Sequence, residues 1–199
     1  MDTPMSDFQK VHDEFYDKIR FYLGRLVGET EGEDLTQEVF VKVNRNLAGF
    51  EGKSSLSTWI YRIATNAALD MLRSKAHRQG KRTSSLGDTD PNADMPEQNA
   101  VVDRRSLSAD REAIRTEMTE CIREFVGRLP QDYQTVIVLS EIKELKNQEI
   151  ADILDVSLDT VKIRLHRARA RLKKEFESGC EFYRDEENRL ACDRRRPES

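Results

Sequence analysis

The stretch Leu145 to Lys174, LKNQEIADILDVSLDTVKIRLHRARARLKK, decides the fold, because it reads as a short helix, a tight turn and a second, strongly basic helix. In its second half Leu158, Val161, Leu165, Ala168 and Leu172 recur at steps of three and four, which places them on one buried stripe of an α-helix. The opposite arc carries Asp159, Ile163, His166, Arg167 and Ala170, with Lys162 and Arg169 on one edge and Arg164 and Arg171 on the other. Ser157 stands at the N-cap, where its hydroxyl accepts from an otherwise orphaned backbone amide. The turn before it is Leu154-Asp155-Val156, and Asp155 tolerates the left-handed conformation that glycine would otherwise supply. Ile150, Ile153 and Leu154 give the shorter helix an inner face. Two helices joined by such a turn, the second one basic, form a helix-turn-helix whose second helix suits the major groove of DNA.

The competing reading is an ordinary amphipathic helix with a solvated face. Charge separates the two. From Lys162 to Lys174 every charge is basic, although Asp plus Glu outnumber Lys plus Arg by 37 to 33 in the whole chain. A merely solvated helix in so acidic a protein would mix signs. The net charge of -4 also argues against a coat over DNA, so any nucleic-acid contact has to be local.

The other pieces of the 199-residue chain are helical too, and together they predict an all-α protein of two small domains joined by a flexible linker. Phe8, Val11, Phe15, Ile19, Tyr22 and Leu26 step by three and four and predict a first helix ending near Gly28. Glu29 to Glu33 reads as a short acidic loop. A second helix follows from about Asp34 to Leu47, with Leu35, Val39, Val43 and Leu47 inside and Asp34, Gln37, Glu38 and Lys42 partly exposed. After a loop at Phe50 to Ser57, the third helix runs from Thr58 to Arg73. Its inner stripe is Ile60, Ile63, Ala67 and Met71. Trp59, Tyr61, Arg62, Asn66, Arg73 and Lys75 place aromatic rings beside cations, a combination able to stack unpaired bases and hold phosphates, although a core Trp and Tyr with surface arginines is the simpler reading.

From Gly80 to about Arg111 the chain is Gly, Ser, Thr, Asp, Asn, Pro and charges, which predicts a linker. Periodicity resumes at Ile114, Met118, Cys121, Ile122 and Phe125, and Pro130 opens a helix carrying Tyr133, Val136, Ile137, Ser140 and Glu141. The predicted divisions are a first domain at 1–79, the linker at 80–112, a second domain at 113–176 and a charged tail at 177–199. Cys121, Cys180 and Cys192 are odd in number and spaced unlike paired-cysteine zinc ligands, so neither a disulfide framework nor a metal site is expected, and no cofactor is expected either. No stretch nears the roughly 18 consecutive apolar residues of a membrane span, and MDTPMSDFQK lacks a signal-peptide core, so a cytoplasmic protein is expected.

Three stretches in order, DLTQEVFVKV (Asp34 to Val43), STWIYRIATNAALDMLR (Ser57 to Arg73) and EIADILDVSLDTVKIRLHRARARL (Glu149 to Leu172), resemble the sigma-70 family of bacterial transcription initiation factors. The resemblance is to its small extracytoplasmic-function (ECF) group, which keeps only regions 2 and 4, and it covers about Phe8 to Arg78 and Ala113 to Phe176. It implies a non-enzymatic promoter-specificity factor that binds core RNA polymerase through the β′ clamp and the β flap, selects promoters and helps to melt them. Asp34, Gln37 and Glu38 inherit the polymerase contact. Phe50, Lys53 and Ser54 of the following loop, with Trp59, Arg62, Asn66 and Arg73, inherit the minus-10 DNA, where stacking on a flipped base offsets the cost of unpairing it.

Lys162, Ile163, His166 and Arg167 inherit the minus-35 base edges, and Arg164, Arg169 and Arg171 its phosphates. The family also implies a sequestering anti-sigma partner. The sequence departs from the pattern at Asn44, at Leu56 and Ser57, and at Glu144-Leu145-Lys146, where Asn147 is expected to replace a lost N-cap. A dimeric helix-turn-helix regulator that binds duplex DNA unaided is the alternative, and a zinc or redox sensor built on the tail cysteines is a third.

Overall fold

The computed structural model describes the backbone of residues 4–78, 121–184, 188 and 190–194. The predicted linker at 80–112, with Ile114 and Met118, lies outside the described residues. The first half holds α1 (Pro4–Val27), α2 (Glu29–Leu47) and α3 (Leu56–Arg78). Residues 121–127 form the described part of α4. They are followed by α5 (Gln131–Ile137), a π-helical turn (Val138–Ile142), α6 (Asn147–Leu154) and α7 (Leu158–Gly179). The fold is all-α, as the periodicity predicted, with one small addition. Cys180–Arg184 (β1) and Leu190–Arg194 (β2) pair as an antiparallel hairpin in what was read as a plain charged tail.

The first helical group closes over the predicted stripe. Ile19, Tyr22 and Leu23 of α1, Val39 and Val43 of α2, and Ile60, Ala64 and Ala68 of α3 are fully buried. Burial of one such aliphatic side chain stabilises the fold by roughly 1.5–3 kcal/mol. Within this core Tyr22 Oη and Thr65 Oγ1 lie 2.8 Å apart, and Thr65 Oγ1 donates to the Tyr61 carbonyl at 2.7 Å. The Thr65 hydroxyl proton is thus committed, and Tyr22 is the donor to Thr65.

Two readings of this half are corrected. The acidic stretch Glu29 to Glu33 is the first turn of α2 rather than a loop. Gly28, at φ 103°, makes the whole break between α1 and α2. Gly32 is the reason that the helices can then run so close, since a Cβ there would come within 2.6 Å of the Gly24 backbone nitrogen. Tyr61, grouped above with the exposed aromatic and basic residues, is 4% exposed and stacks edge-on to Tyr22 at 5.2 Å between centroids. Burial pushes the Tyr61 phenol up to about 12.

In the second group Val136, Val138, Leu139, Ile150, Ile153, Val161 and Leu165 form the core. Phe125 is buried as predicted, but Ile122 is exposed, and Val126 of α4 and Leu129 just beyond it are buried instead. The N-cap of α6 is Lys146, not Asn147. Its backbone N–H donates to Glu149 Oε2 at 2.9 Å, the backbone half of a capping box.

The two groups pack together through α3 and α6. Arg123 pairs with Glu29 at 2.9 Å, and Gln134 Nε2 donates to the Arg25 carbonyl at 3.2 Å. Lys143 Nζ donates to the Lys18 carbonyl at 3.0 Å and stands 4.7 Å from the centre of the Phe21 ring. Burial, reinforced by the nearby charges of Arg25 and Lys18, pulls the Lys143 ammonium down to about 8. None of the described helices is long and apolar enough to cross a membrane.

Candidate nucleic-acid interface

Local chemistry fixes the helix-turn-helix. Asp155 ends α6 at φ 54° and ψ 48°, the left-handed position anticipated for it, and Val156 N–H returns to the Ala151 carbonyl at 3.2 Å. Ser157 Oγ then accepts from the Thr160 backbone N–H at 3.1 Å, so α7 starts where the capping signal put it. Val161, Leu165, Ala168 and Leu172 are buried, and Leu158 is half-buried at the edge of the same stripe. The opposite arc is open: Lys162, His166, Arg169 and Arg171 are exposed, and Ile163 is 51% exposed with no apolar role in the fold.

The cations of α7 differ in what they already hold. Arg164 Nη2 pairs with Asp132 Oδ2 at 2.7 Å and is turned toward α5. The guanidinium of Arg171 lies 5.1 Å from the centre of the Tyr133 ring, again on the α5 side. Arg169 reaches Glu141 at 2.8 Å, in a pair exposed on both sides. Lys162 pairs with Asp159 at 3.3 Å along its own helix. Exposed pairs of this kind are worth only about 0–1 kcal/mol, so a phosphate can displace Glu141 or Asp159 at little cost. Arg167 is half-buried on the outward arc beside His166.

At the other end of the molecule, Ser55 Oγ accepts from the Thr58 N–H at 3.0 Å and caps α3. Gly52, at φ 69°, turns the loop that carries Lys53 and Ser54. Phe50 and Trp59 meet with ring centroids 5.2 Å apart, and both are half-buried. Asn66 is exposed two turns further along α3. The loop, the two rings and Asn66 therefore come together along one part of the surface. Two of the residues singled out do not join them. Arg62 is directed at α6, where Nη2 donates to the Asp152 carbonyl, and its Nε is buried without a partner. Arg73, about 21 Å along the helix from Trp59 at 1.5 Å per residue, pairs with Asp70 at 3.4 Å.

Asp34, Gln37 and Glu38 are all exposed on the face of α2 opposite Leu35, Val39 and Val43. Beside them lies a groove of about 490 Å³ lined by Phe8, His12, Tyr16, Gln37, Phe40 and Asn44. His12 stacks on Tyr16 at 4.7 Å and meets Phe40 edge-on at 5.1 Å. Sequence reading missed this neighbourhood of Gln37. The exposure of Val41, 49% in an otherwise well-formed helix, and the polar Asn44 are its only signals.

An acidic helix face, a capped aromatic loop and a basic helix-turn-helix share one all-α frame, and a helix-turn-helix with a basic second helix is characteristic of DNA-binding proteins. Comparison with known proteins narrows the class. Residues 11–78 match the family model for sigma-70 region 2, and residues 119–172 match that for sigma-70 region 4. The chain is 34% identical over 170 residues to the ECF RNA polymerase sigma factor SigW of Bacillus subtilis, covering 85% of this chain and 88% of that one. It is 36% identical over 168 residues to the RNA polymerase sigma factor YlaC of the same organism, covering 83% and 90%.

Against the ECF sigma-E factor of Escherichia coli it is 32% identical over 152 residues, covering 76% and 77%. Among solved structures the fold is similar to CnrH in complex with the cytosolic domain of CnrY, with a TM-score of 0.61 at 21% identity over 87% of this chain and 90% of that one. It is also similar to the sigma factor RpoE from Bartonella quintana, solved with the anti-sigma factor NepR, with a TM-score of 0.62 at 20% identity over 86% and 97%. The chain belongs to the sigma-70 family, in its ECF group, and is an RNA polymerase sigma factor.

Proposed function

We propose that the labour of this sigma factor is divided among three surfaces. Asp34, Gln37 and Glu38 dock on the β′ clamp of core polymerase. Phe50, Lys53, Ser54, Trp59, Arg62, Asn66 and Arg73 serve the minus-10 element, and α7 reads the minus-35 element while its domain meets the β flap. The observation that carries this reading is the exposure of Asp34, Gln37 and Glu38 on α2 and of Ile163 and His166 on α7, each opposite a buried core stripe. On α7, in this reading, Lys162, Ile163, His166 and Arg167 meet base edges and Arg169 a phosphate. Arg164 and Arg171, turned toward α5, reach only phosphates at the groove margin.

Nothing in this work is chemical catalysis. Melting is driven by binding, because each flipped base exchanges its stack in the duplex, worth a few kcal/mol, for a protein pocket. An anti-sigma factor is the natural regulator, since the similar structures of CnrH and RpoE hold such a sigma fold against a protein partner. The working compartment is the cytoplasm, with the polymerase.

The polymerase assignment is tested by Asp34→Ala combined with Glu38→Ala. Native-gel titration with core polymerase should show at least tenfold weaker binding with unchanged helicity. Unchanged affinity would remove α2 from the docking surface.

A further inference from the structure

The three cysteines, read separately in the sequence as one core residue and two tail residues, converge. Cys121 lies on α4 one turn before Phe125, on the same face. The last turn of α7 rests on that face, because Gly179 has no side chain: a Cβ there would stand 2.6 Å from Phe125 Cζ. The next residue, Cys180, leaves the helix in extended conformation and is 3% exposed. In the hairpin Phe182 faces Cys192, which puts Cys192 diagonal to Cys180 on one face of the two strands. Cys121 and Cys192 are the thiols that neighbour Cys180, and none of the three is in a disulfide. Phe176 meets Phe125 at 5.2 Å and Phe182 at 6.1 Å, flanking the group with rings.

We propose that this cluster is a thiol-oxidation site, in which a hydroperoxide converts the half-buried Cys121 to a sulfenic acid that condenses with Cys180 into a disulfide. In the first step the Cys121 sulfur takes one peroxide oxygen and a water leaves. In the second the Cys180 sulfur displaces the hydroxyl from Cys121, the S–S bond forms and the thiol proton leaves with the hydroxyl as a second water. Two thiols lose two electrons, and one peroxide becomes two waters when hydrogen peroxide is the oxidant.

Exposure sets the order of events. Burial, with Cys121 and Cys192 beside it, pushes the Cys180 thiol up to about 11, so Cys180 holds little thiolate and acts as the resolving partner by proximity. Among the described residues no three His, Cys, Asp or Glu side chains are disposed to hold a metal ion. The bond would tie α4 to the end of α7 and so bracket the helix-turn-helix. Reducing cytoplasm makes such a bond transient and signal-dependent rather than structural.

The test uses the full chain. Reduced protein is treated with hydrogen peroxide, quenched by alkylation and mapped by peptide mass spectrometry without reduction. The expected product is a Cys121–Cys180 crosslinked peptide, reversed by dithiothreitol, retained in Cys192→Ser and abolished in Cys121→Ser, with circular dichroism confirming that each variant is folded. A dominant Cys180–Cys192 link, links only between chains, or thiols that persist while those of the urea-unfolded chain oxidise would overturn the proposal. So would uptake of one zinc equivalent by the reduced protein with all three thiols protected, which would make the cluster a metal site.

Discussion

The guanidinium of Arg62 on α3 donates to the main-chain carbonyl of Asp152 on α6, so a residue proposed for minus-10 DNA also fastens the two helical groups to each other. Under the proposed minus-10 role, DNA would have to take this side chain from α6. Arg62→Ala should speed amide hydrogen exchange in residues 147–154 severalfold without altering the core of α1 to α3, whereas Arg73→Ala, whose partner Asp70 is on its own helix, should not. Equal exchange in the two variants would mean that Arg62 does not hold α6.

A second fastening depends on pH. Lys143 titrates near 10.5 when unfolded and near 8 in the folded protein. Between these values this group binds more protons in the unfolded chain, so its own contribution to stability rises with pH from about 8 to about 10.5, against the opposite contributions of Tyr61 and Cys180. Below about 8 both states are protonated, and the fold carries the cost of a half-buried ammonium. Across that window the urea midpoint of the native protein should gain on that of Lys143→Met as pH rises. Parallel curves would place the titration elsewhere.

The Tyr22–Thr65 pair makes an asymmetric prediction. Tyr22→Phe leaves Thr65 donating to Tyr61 and should cost about 1 kcal/mol of unfolding free energy. Thr65→Val strands the fully buried Tyr22 hydroxyl and should cost more, roughly 1–3 kcal/mol for that group alone. Denaturant titration of the two variants decides it, and a larger loss in Tyr22→Phe would reverse the assigned donor.

Much of this was legible in the residues. The stripe Val161-Leu165-Ala168-Leu172, the Ser157 cap and the left-handed Asp155 depend only on local periodicity and turn chemistry, and each is where the sequence placed it. The misses are tertiary. Gly32 looked like loop punctuation, because nothing local says that Gly24 of another helix will lie against it. Tyr61 looked like a partner for Arg62 because a helical wheel cannot tell which flank Tyr22 will cover. The hairpin is held by cross-strand register through a charged segment with little apolar alternation, and the thiol cluster exists only once Gly179 has met Phe125. On α7 the sequence set the cations apart from the buried stripe but could not show that Asp132 and Tyr133 hold Arg164 and Arg171 on the α5 side.

That difference separates two arginines experimentally. With core polymerase and selected minus-35 variants, Arg167→Ala should cost about 1–3 kcal/mol on the preferred sequence and relax preference at one position. Arg169→Ala should weaken all sequences alike and reduce the salt slope by about one charge. Uniform losses from both would reduce α7 to an electrostatic clamp.

As a sigma factor, this chain is expected to confer promoter choice on polymerase rather than to bind duplex DNA by itself. Transcription from genomic fragments with purified core polymerase, with and without the protein, tests it most directly. The account predicts discrete start sites that appear only when the chain is added, while the chain alone fails to shift the same duplex fragments. Transcripts unchanged by its addition, together with a stable dimer that shifts duplex DNA unaided, would contradict it.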